Sequence, residues 1–324
     1  MKYLGSKHKL SPFLLFAISS TQKGELKEKV FCDLFAGTGS VGNLFKDKVK
    51  QVISNDKEFY AYVLNRNLIQ NSKEIPNADE IIATLNALKD KEGFIYKHYS
   101  VSANRGYFSD ENAKKIDAIR EELATMKSSI DEDTYFFLLA SLIESCDKIA
   151  NTASMYGAFL KNLKASAKER FVLQKASFKK SEGLHVAFNE DANELIKKIK
   201  GDILYLDPPY NKREYGLYYH LLNTIALYDE FEPRGITGLR EYERSSFCKK
   251  PSVAASFENL IKEAQFSSIY VSYSDEGLMS LDVIKNIMQK YGEYSLLKKE
   301  HRRFVSHLGD SKRTITEYLH ILKK

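Results

Sequence analysis

Two stretches of this chain place a carboxylate beside residues that shape backbone around a small ligand. The first is Asp33-Leu-Phe35-Ala-Gly37-Thr-Gly39-Ser-Val-Gly42, which ends the apolar run Val30 to Phe35 and opens a helix-like segment. Small residues there let backbone approach a ligand while amide donors face it. The three glycines satisfy G-x-G-x-x-G, and Asp56, nineteen residues beyond Gly37, ends the next apolar run, where a carboxylate accepts from ribose hydroxyls. On spacing alone this is the dinucleotide fingerprint. Asp33 separates the readings, because an acid four residues before the first glycine suits a ligand with an amino group or a sulfonium better than a pyrophosphate. S-adenosylmethionine is such a ligand.

The second stretch is Asp202-Ile-Leu-Tyr-Leu-Asp207-Pro208-Pro209-Tyr210, which holds two of the six prolines of the chain directly after a buried-looking strand. Consecutive prolines fix the backbone, remove two amide donors and leave their carbonyls free to accept. An Asp carboxylate and a proline carbonyl can then converge on one amino group while the Tyr ring stacks on the aromatic system bearing it. Amine methylation needs such a receptor. The amino nitrogen of adenine is a poor nucleophile because its lone pair is delocalised, and accepting two hydrogen bonds from the NH₂ favours a pyramidal nitrogen. Transfer is then an in-line displacement governed by positioning and electrostatics. No covalent cysteine step is required, and neither Ser nor Cys falls in a nucleophile-elbow pattern.

The elements that must position these residues read as an interrupted α/β sheet. Val30 to Phe35 and Gln51 to Ser54 are strand-like, and a helical stretch from Lys57 to Gln70 follows. Regular alternation is lost around Ala83. Ser109-Asp-Glu starts one helix, and Asp131-Glu-Asp-Thr caps a second with Phe136, Leu139, Ala140, Ile143 and Cys146 at helical spacing. Strand signals return at Gly183 to Phe188, Asp202 to Leu206 and Ser268 to Ser272. Tyr294 to Phe304 and Thr314 to Leu322 form an antiparallel hairpin turning at His307-Leu-Gly-Asp310. The order predicts a sheet built from residues 1–82 and 183–324, interrupted by a mostly helical insertion at 83–182, in preference to a single α/β domain with long surface excursions.

With both motifs and their order, the chain resembles the Dam-like, α-group DNA adenine methyltransferases of type II restriction-modification systems. Met1-Lys-Tyr3-Leu-Gly5-Ser-Lys7 is similar to their N-terminal cofactor motif, with Tyr3 and Ser6 where Trp and Gly are more usual. Asp33 to Gly39 is similar to the glycine loop and Asp207 to Tyr210 to the catalytic tetrad. The resemblance implies a doubly wound mixed sheet of the S-adenosylmethionine-dependent methyltransferase type, with the insertion as target-recognition domain. It implies Asp207, Pro208, Pro209 and Tyr210 as catalytic residues. Tyr3, Lys7, Asp33, Phe35, Gly37, Gly39, Asp56, Asp191 and Asp207 would bind the cofactor, Lys7 near its carboxylate, Asp56 at the ribose and Asp191 at the adenine. Glu190, adjacent to Asp191, could serve instead. Arg213 and Tyr215, after the tetrad, could support a flipped base or simply begin a packed aromatic helix.

The net charge is +6, a mild excess that suits a polyanion without requiring one. Lys161, Lys164, Lys168, Arg170, Lys175, Lys179 and Lys180 stand against the single acid Glu169, and this run is the expected contact with the backbone of double-stranded DNA. His301, Arg302, Arg303, Lys312 and Arg313 form a smaller basic set. A base inside a duplex cannot reach the tetrad, so the target adenine must be extruded. With no Trp, stacking falls to 20 Tyr and 19 Phe.

Three cysteines without C-x-x-C pairing argue against a disulfide framework or a cysteine zinc site, and the histidines show no ligand spacing, so no metal is expected. No apolar run approaches the ~20 residues that span a bilayer. The six apolar residues Phe13 to Ile18 fall short of the ~7 to 15 of a signal peptide. A cytoplasmic enzyme is expected, with a cognate endonuclease encoded nearby that forms no stable complex with it. Competing readings are an RNA or guanine-amine methyltransferase using the same tetrad, a nicotinamide-dependent dehydrogenase using the glycine loop, and a DNA-binding module with a degenerate cofactor site.

Overall fold

The computed structural model describes residue 5, residues 7–302 and residues 314–324, and resolves two compact units. A sheet unit comprises Gly5–Asn65, Ser181–Glu214 and Arg244–Lys324, and a helical unit comprises Arg66–Lys180 and Tyr215–Glu243.

The sheet unit carries seven strands: β1 (Val30–Asp33), β2 (Gln51–Asn55), β3 (Val186–Phe188), β4 (Lys200–Leu206), β5 (Gln265–Ser274), β6 (Glu293–Arg302) and β7 (Thr314–Lys323). Their spatial order is β3-β2-β1-β4-β5-β7-β6, and β7 runs opposite to the other six, pairing antiparallel with β5 and β6. This is the mixed α/β sheet with a C-terminal antiparallel hairpin that the sequence predicts. The His307 to Asp310 turn lies outside the described residues. Central strands of a parallel sheet are covered on both faces and read as continuous apolar runs. On one face Phe31 of β1 stacks on Phe45 of the helix Ser40–Phe45, with ring centroids 4.3 Å apart. On the other, Cys32, Leu204, Val271 and Ile284 join one buried cluster with residues of the helices Val253–Glu263 and Leu281–Met288.

Strand β3 is shorter than the expected Gly183 to Phe188. His185, just before it, offers ring Nδ1 rather than a carbonyl to Val52 N–H at 2.9 Å, so a side chain takes over the ladder bond there. Burial, with the charge of Lys46, pushes that imidazole down to about 4, which keeps Nδ1 available as an acceptor.

In the helical unit the expected caps form. Ser109 accepts from Asn112 N–H ahead of Asp110–Met126, and Asp131 accepts from Thr134 N–H ahead of Glu132–Ile149. Phe136, Leu139, Ala140, Ile143 and Cys146 are all buried. The unit begins at Arg66 rather than at residue 83, and it takes in Tyr215–Glu243, which the sequence reading left with the sheet. Apolar periodicity marks a helix but not the partner that buries it. Here Arg120 donates to the carbonyls of Ile225 and Ala226, and Tyr228 hydroxyl donates to Asp117.

Residues 169–180 cross this unit as an extended strap without a partner strand. Phe171, Leu173 and Ala176 turn inward while Arg170, Val172 and Lys175 face out. Side chains of three helices replace the missing ladder: Asn112 accepts from Phe171 N–H, Asn86 from Leu173 N–H, Ser145 from Gln174 N–H and Ser141 from Ala176 N–H. Buried amides need such partners.

Candidate active site

Parallel pairing sets Asp33 of β1 opposite Tyr205 of β4, and Leu34 N–H donates to Tyr205 carbonyl at 3.2 Å. Asp33 ends β1 and Asp207 follows β4 by one residue, so both carboxylates sit at the carboxyl ends of adjacent strands. Between β1 and β4 the strand order reverses, the place where open α/β sheets leave a crevice for ligands.

The glycine loop is built as its residues require. Gly37 and Gly39 have φ of 51° and 77°, a left-handed conformation that glycine adopts without cost. Asp56 accepts from Gly37 N–H at 2.8 Å and from Glu58 N–H at 2.9 Å, and burial, only partly offset by these two bonds, pushes it up to about 6. Asn65 donates to Gly37 carbonyl at 2.9 Å. Phe35 packs edge-on against Phe247.

Asp33 is 1% exposed. One of its oxygens accepts from Gly42 N–H at 3.1 Å, and the other, Oδ1, has no hydrogen-bond partner. Burial, the charge of Asp207 and, weakly, that of Asp56 push Asp33 up to about 8 against the pull of the Gly42 amide. Asp207 is pushed up to about 7 by burial, lowered in turn by Lys7 and raised by Glu317.

Lys7 is the centre of this charge. Its ammonium lies 3.2 Å from Asp207 Oδ1 and 2.8 Å from Glu317 Oε1. Burial works to lower the Lys7 pKa, but the two carboxylates outweigh it and hold it well above its usual value. The sequence expectation placed Lys7 at a cofactor carboxylate; the structure seats it between two protein carboxylates. The ammonium also lies 5.5 Å from the centroid of the Tyr210 ring, which meets Tyr273 edge-on. Tyr210 carbonyl accepts from Leu278 N–H at 2.7 Å, which fixes the end of the tetrad.

The remaining sequence candidates divide. Tyr3 lies outside the described residues. Asp191 caps the short helix Ala192–Leu195 by accepting from Asn193 N–H and lies 3.7 Å from Lys57 Nζ, whereas Glu190 pairs with Lys198. Arg213 is exposed, its N–H held by Asn211, and Tyr215 stacks on Tyr219. Within the helical unit the basic run is not uniform. Lys175 pairs with Asp79, Lys180 with Glu74, and Lys164 donates to Thr152 carbonyl. Lys161, Lys168, Arg170 and Lys179 are exposed.

Two residues escaped the sequence reading. Asn55, 1% exposed, donates to the carbonyls of Leu34 and Glu190 and accepts from Glu190 N–H, tying together the loops after β1, β2 and β3. Glu317 is the other. Its signal was parity: residues 317, 319 and 321 share one face of β7, and an acid in step with Leu319 and Ile321 must find a buried partner.

The D12 class N6 adenine-specific DNA methyltransferase family matches this chain over residues 3–301. The chain belongs to that family. This D12-class member is therefore an enzyme that methylates adenine in DNA, and the dehydrogenase, the inactive binding module and the RNA or guanine-amine methyltransferase fall away. It is 53% identical over 332 residues to the type II methyltransferase M.NlaIII of Neisseria lactamica, covering 100% of this chain and 99% of that protein. M.CviAII, a type II methyltransferase of Paramecium bursaria Chlorella virus 1, is 39% identical over 324 residues, 98% of this chain and 96% of its own length. M.FokI of Planomicrobium okeanokoites is also 39% identical, over 344 residues, but the chain spans only 53% of it. No helix among the described residues of the D12-class chain is long and apolar enough to cross a membrane.

Proposed function

We propose that the chain transfers the methyl group of S-adenosylmethionine to N6 of an adenine extruded from duplex DNA, as the modification half of a type II restriction-modification system. The juxtaposition of Asp33 and Asp207 at the ends of β1 and β4 carries this reading. A buried carboxylate oxygen without a donor, on an acid held near neutrality, fits a ligand with a cationic amino group. The residues also fit the rest of that ligand, with Asp56 for its ribose and Asp191 for its adenine. When bound, it supplies an electrophilic methyl group on a sulfonium.

The chain's own groups do the rest. Asp207 in its ionised form and the Pro208 carbonyl accept one hydrogen bond each from the target NH₂, turning its lone pair out of the ring. Tyr210 stacks on the extruded base, and Pro209 fixes the backbone between them. The amine loses one proton as the new N–C bond forms, and Asp207, poised near 7, is placed to receive it. Extrusion costs a few kcal/mol, offset by stacking and by contacts to the DNA backbone. Those contacts fall to the helical unit, with Lys161, Lys168, Arg170 and Lys179 on its surface, and to Arg213 and Tyr215 next to the tetrad. A cognate endonuclease would share the recognition sequence without forming a stable complex, and the enzyme would work in the cytoplasm.

Transfer of a tritiated methyl group from S-adenosylmethionine to duplex DNA tests the reading. Asp207→Ala should lower turnover by ~10³-fold or more while DNA affinity persists. Near-normal turnover would overturn the role of the tetrad, and label that enters RNA but not duplex DNA would overturn the substrate.

A further inference from the structure

Glu317 belongs to the C-terminal hairpin, far in sequence from either motif, yet it is 3% exposed and ends in the same buried cluster as Asp207. Ladder pairing sets it opposite Ser274 of β5, and Ser272 hydroxyl, two residues earlier on that strand, donates to its Oε1 at 2.5 Å. A buried carboxylate costs free energy unless a cation and donors satisfy it, and Glu317 has both. The Lys7 ammonium lies nearer to Glu317 than to Asp207, at 2.8 Å against 3.2 Å. One ammonium is thus shared by two carboxylates, so Lys7 offsets the charge of Asp207 only in part and the cluster keeps net negative charge at the end of β4.

Resting on the proposed role of Asp207 as acceptor for the adenine amine, we infer that Glu317 is a positioning residue that draws the Lys7 ammonium toward itself, so that Lys7 is shared rather than held by Asp207 alone and Asp207 keeps accepting capacity for that amine. Without Glu317 the ammonium would close on Asp207 alone. It would then neutralise the carboxylate and occupy the oxygen that the amine needs. The other groups around Asp207 do not substitute for Glu317. Asp33 on β1 is a second acid that raises rather than neutralises the local charge, and Tyr205 on β4 and Tyr210 in the tetrad are phenols whose pKa values burial has raised further.

The test is methyl transfer to duplex DNA as a function of pH, with melting temperature and methyl-donor binding as controls for folding. Glu317→Gln should lower kcat by on the order of 10²-fold, the cost of a misplaced reacting group, with KM for DNA unchanged. Removing the negative charge also lowers the Asp207 pKa, so the acidic limb of kcat/KM should move to lower pH. Glu317→Asp restores the charge with a shorter reach, and should keep the limb in its wild-type position with a reduced kcat. A folded Glu317→Gln enzyme with wild-type kcat and an unmoved limb would overturn the inference. If the Gln variant does not fold or falls below detection, Glu317→Asp decides, and a wild-type kcat or a shifted limb defeats the proposal. Asp207→Asn separates the two levels: near-normal turnover in that variant sinks the role of Asp207 itself, whereas an inactive Asp207→Asn beside an unaffected Glu317→Gln sinks only the role of Glu317.

Discussion

Asp33 holds a proton more tightly in the folded protein than in the unfolded chain, because burial and the charge of Asp207 lift it from 3.8 to about 8. The sign follows from linkage: the stability this group contributes is fully present below pH 4 and is lost progressively as pH rises through 8. Asp33→Asn removes the buried charge. Its melting temperature should therefore exceed that of the unliganded wild type by a margin that grows from pH 4 to pH 8 and then levels off. The same variant should lose affinity for S-adenosylmethionine, by roughly tenfold or more for the loss of one charge-assisted bond. In the wild type that affinity should strengthen from pH 6 to pH 8, with proton release detectable by calorimetry in buffers of different ionisation enthalpy. A pH-independent affinity would remove Asp33 from the binding site. Residues that favour the complex at the expense of the empty protein are expected where function and stability compete.

At the scale of elements, the strap over residues 169–180 shows how a segment without secondary structure is held in one conformation. Asn112 accepts from Phe171 N–H at 2.7 Å and donates to Glu169 carbonyl at 2.8 Å, so one amide satisfies two backbone groups. Asn112→Ala should destabilise the protein by about 1 to 3 kcal/mol, the range for stranding a buried polar group. Urea unfolding measures the loss, and hydrogen exchange should show the Phe171 amide unprotected while those of the helix Glu132–Ile149 remain protected. The strap also explains why its helix-free character was not legible. Its alternation of inward Phe171 and Leu173 with outward Arg170 and Val172 is the pattern of a strand, but the partners are side chains of helices. By contrast the caps at Ser109 and Asp131 depend only on residues within three positions, and they were readable from the chain.

At the scale of the molecule, the basic run lies toward solvent, and some of its lysines sit in surface ion pairs. Lys175 and Lys180, themselves exposed, each face a neighbouring acid, Asp79 and Glu74, that offsets their charge, while Lys161, Lys168 and Arg170 are exposed as well. Replacing Lys161, Lys168 and Arg170 together by Ala should flatten the dependence of log K for DNA on log salt by up to about 3, from ~0.9 per lost phosphate contact. Replacing Lys175 and Lys180 should change the slope less. The reverse ranking would place the DNA-facing surface elsewhere.

The placement of both acids at strand ends was written in the sequence, since an Asp before a glycine loop and an Asp-Pro-Pro-Tyr turn are local patterns that mark where a strand stops without knowing what lies opposite. Family membership followed from the same residues and their order. Only the folded chain decided that Lys7 is shared by Asp207 and Glu317, the latter 310 positions away from it, and that the charge of Asp207 reaches Asp33 and disfavours its ionisation. Burial and through-space charge depend on which strands are neighbours and in what register, and those are properties of the sheet that no stretch of the chain carries by itself.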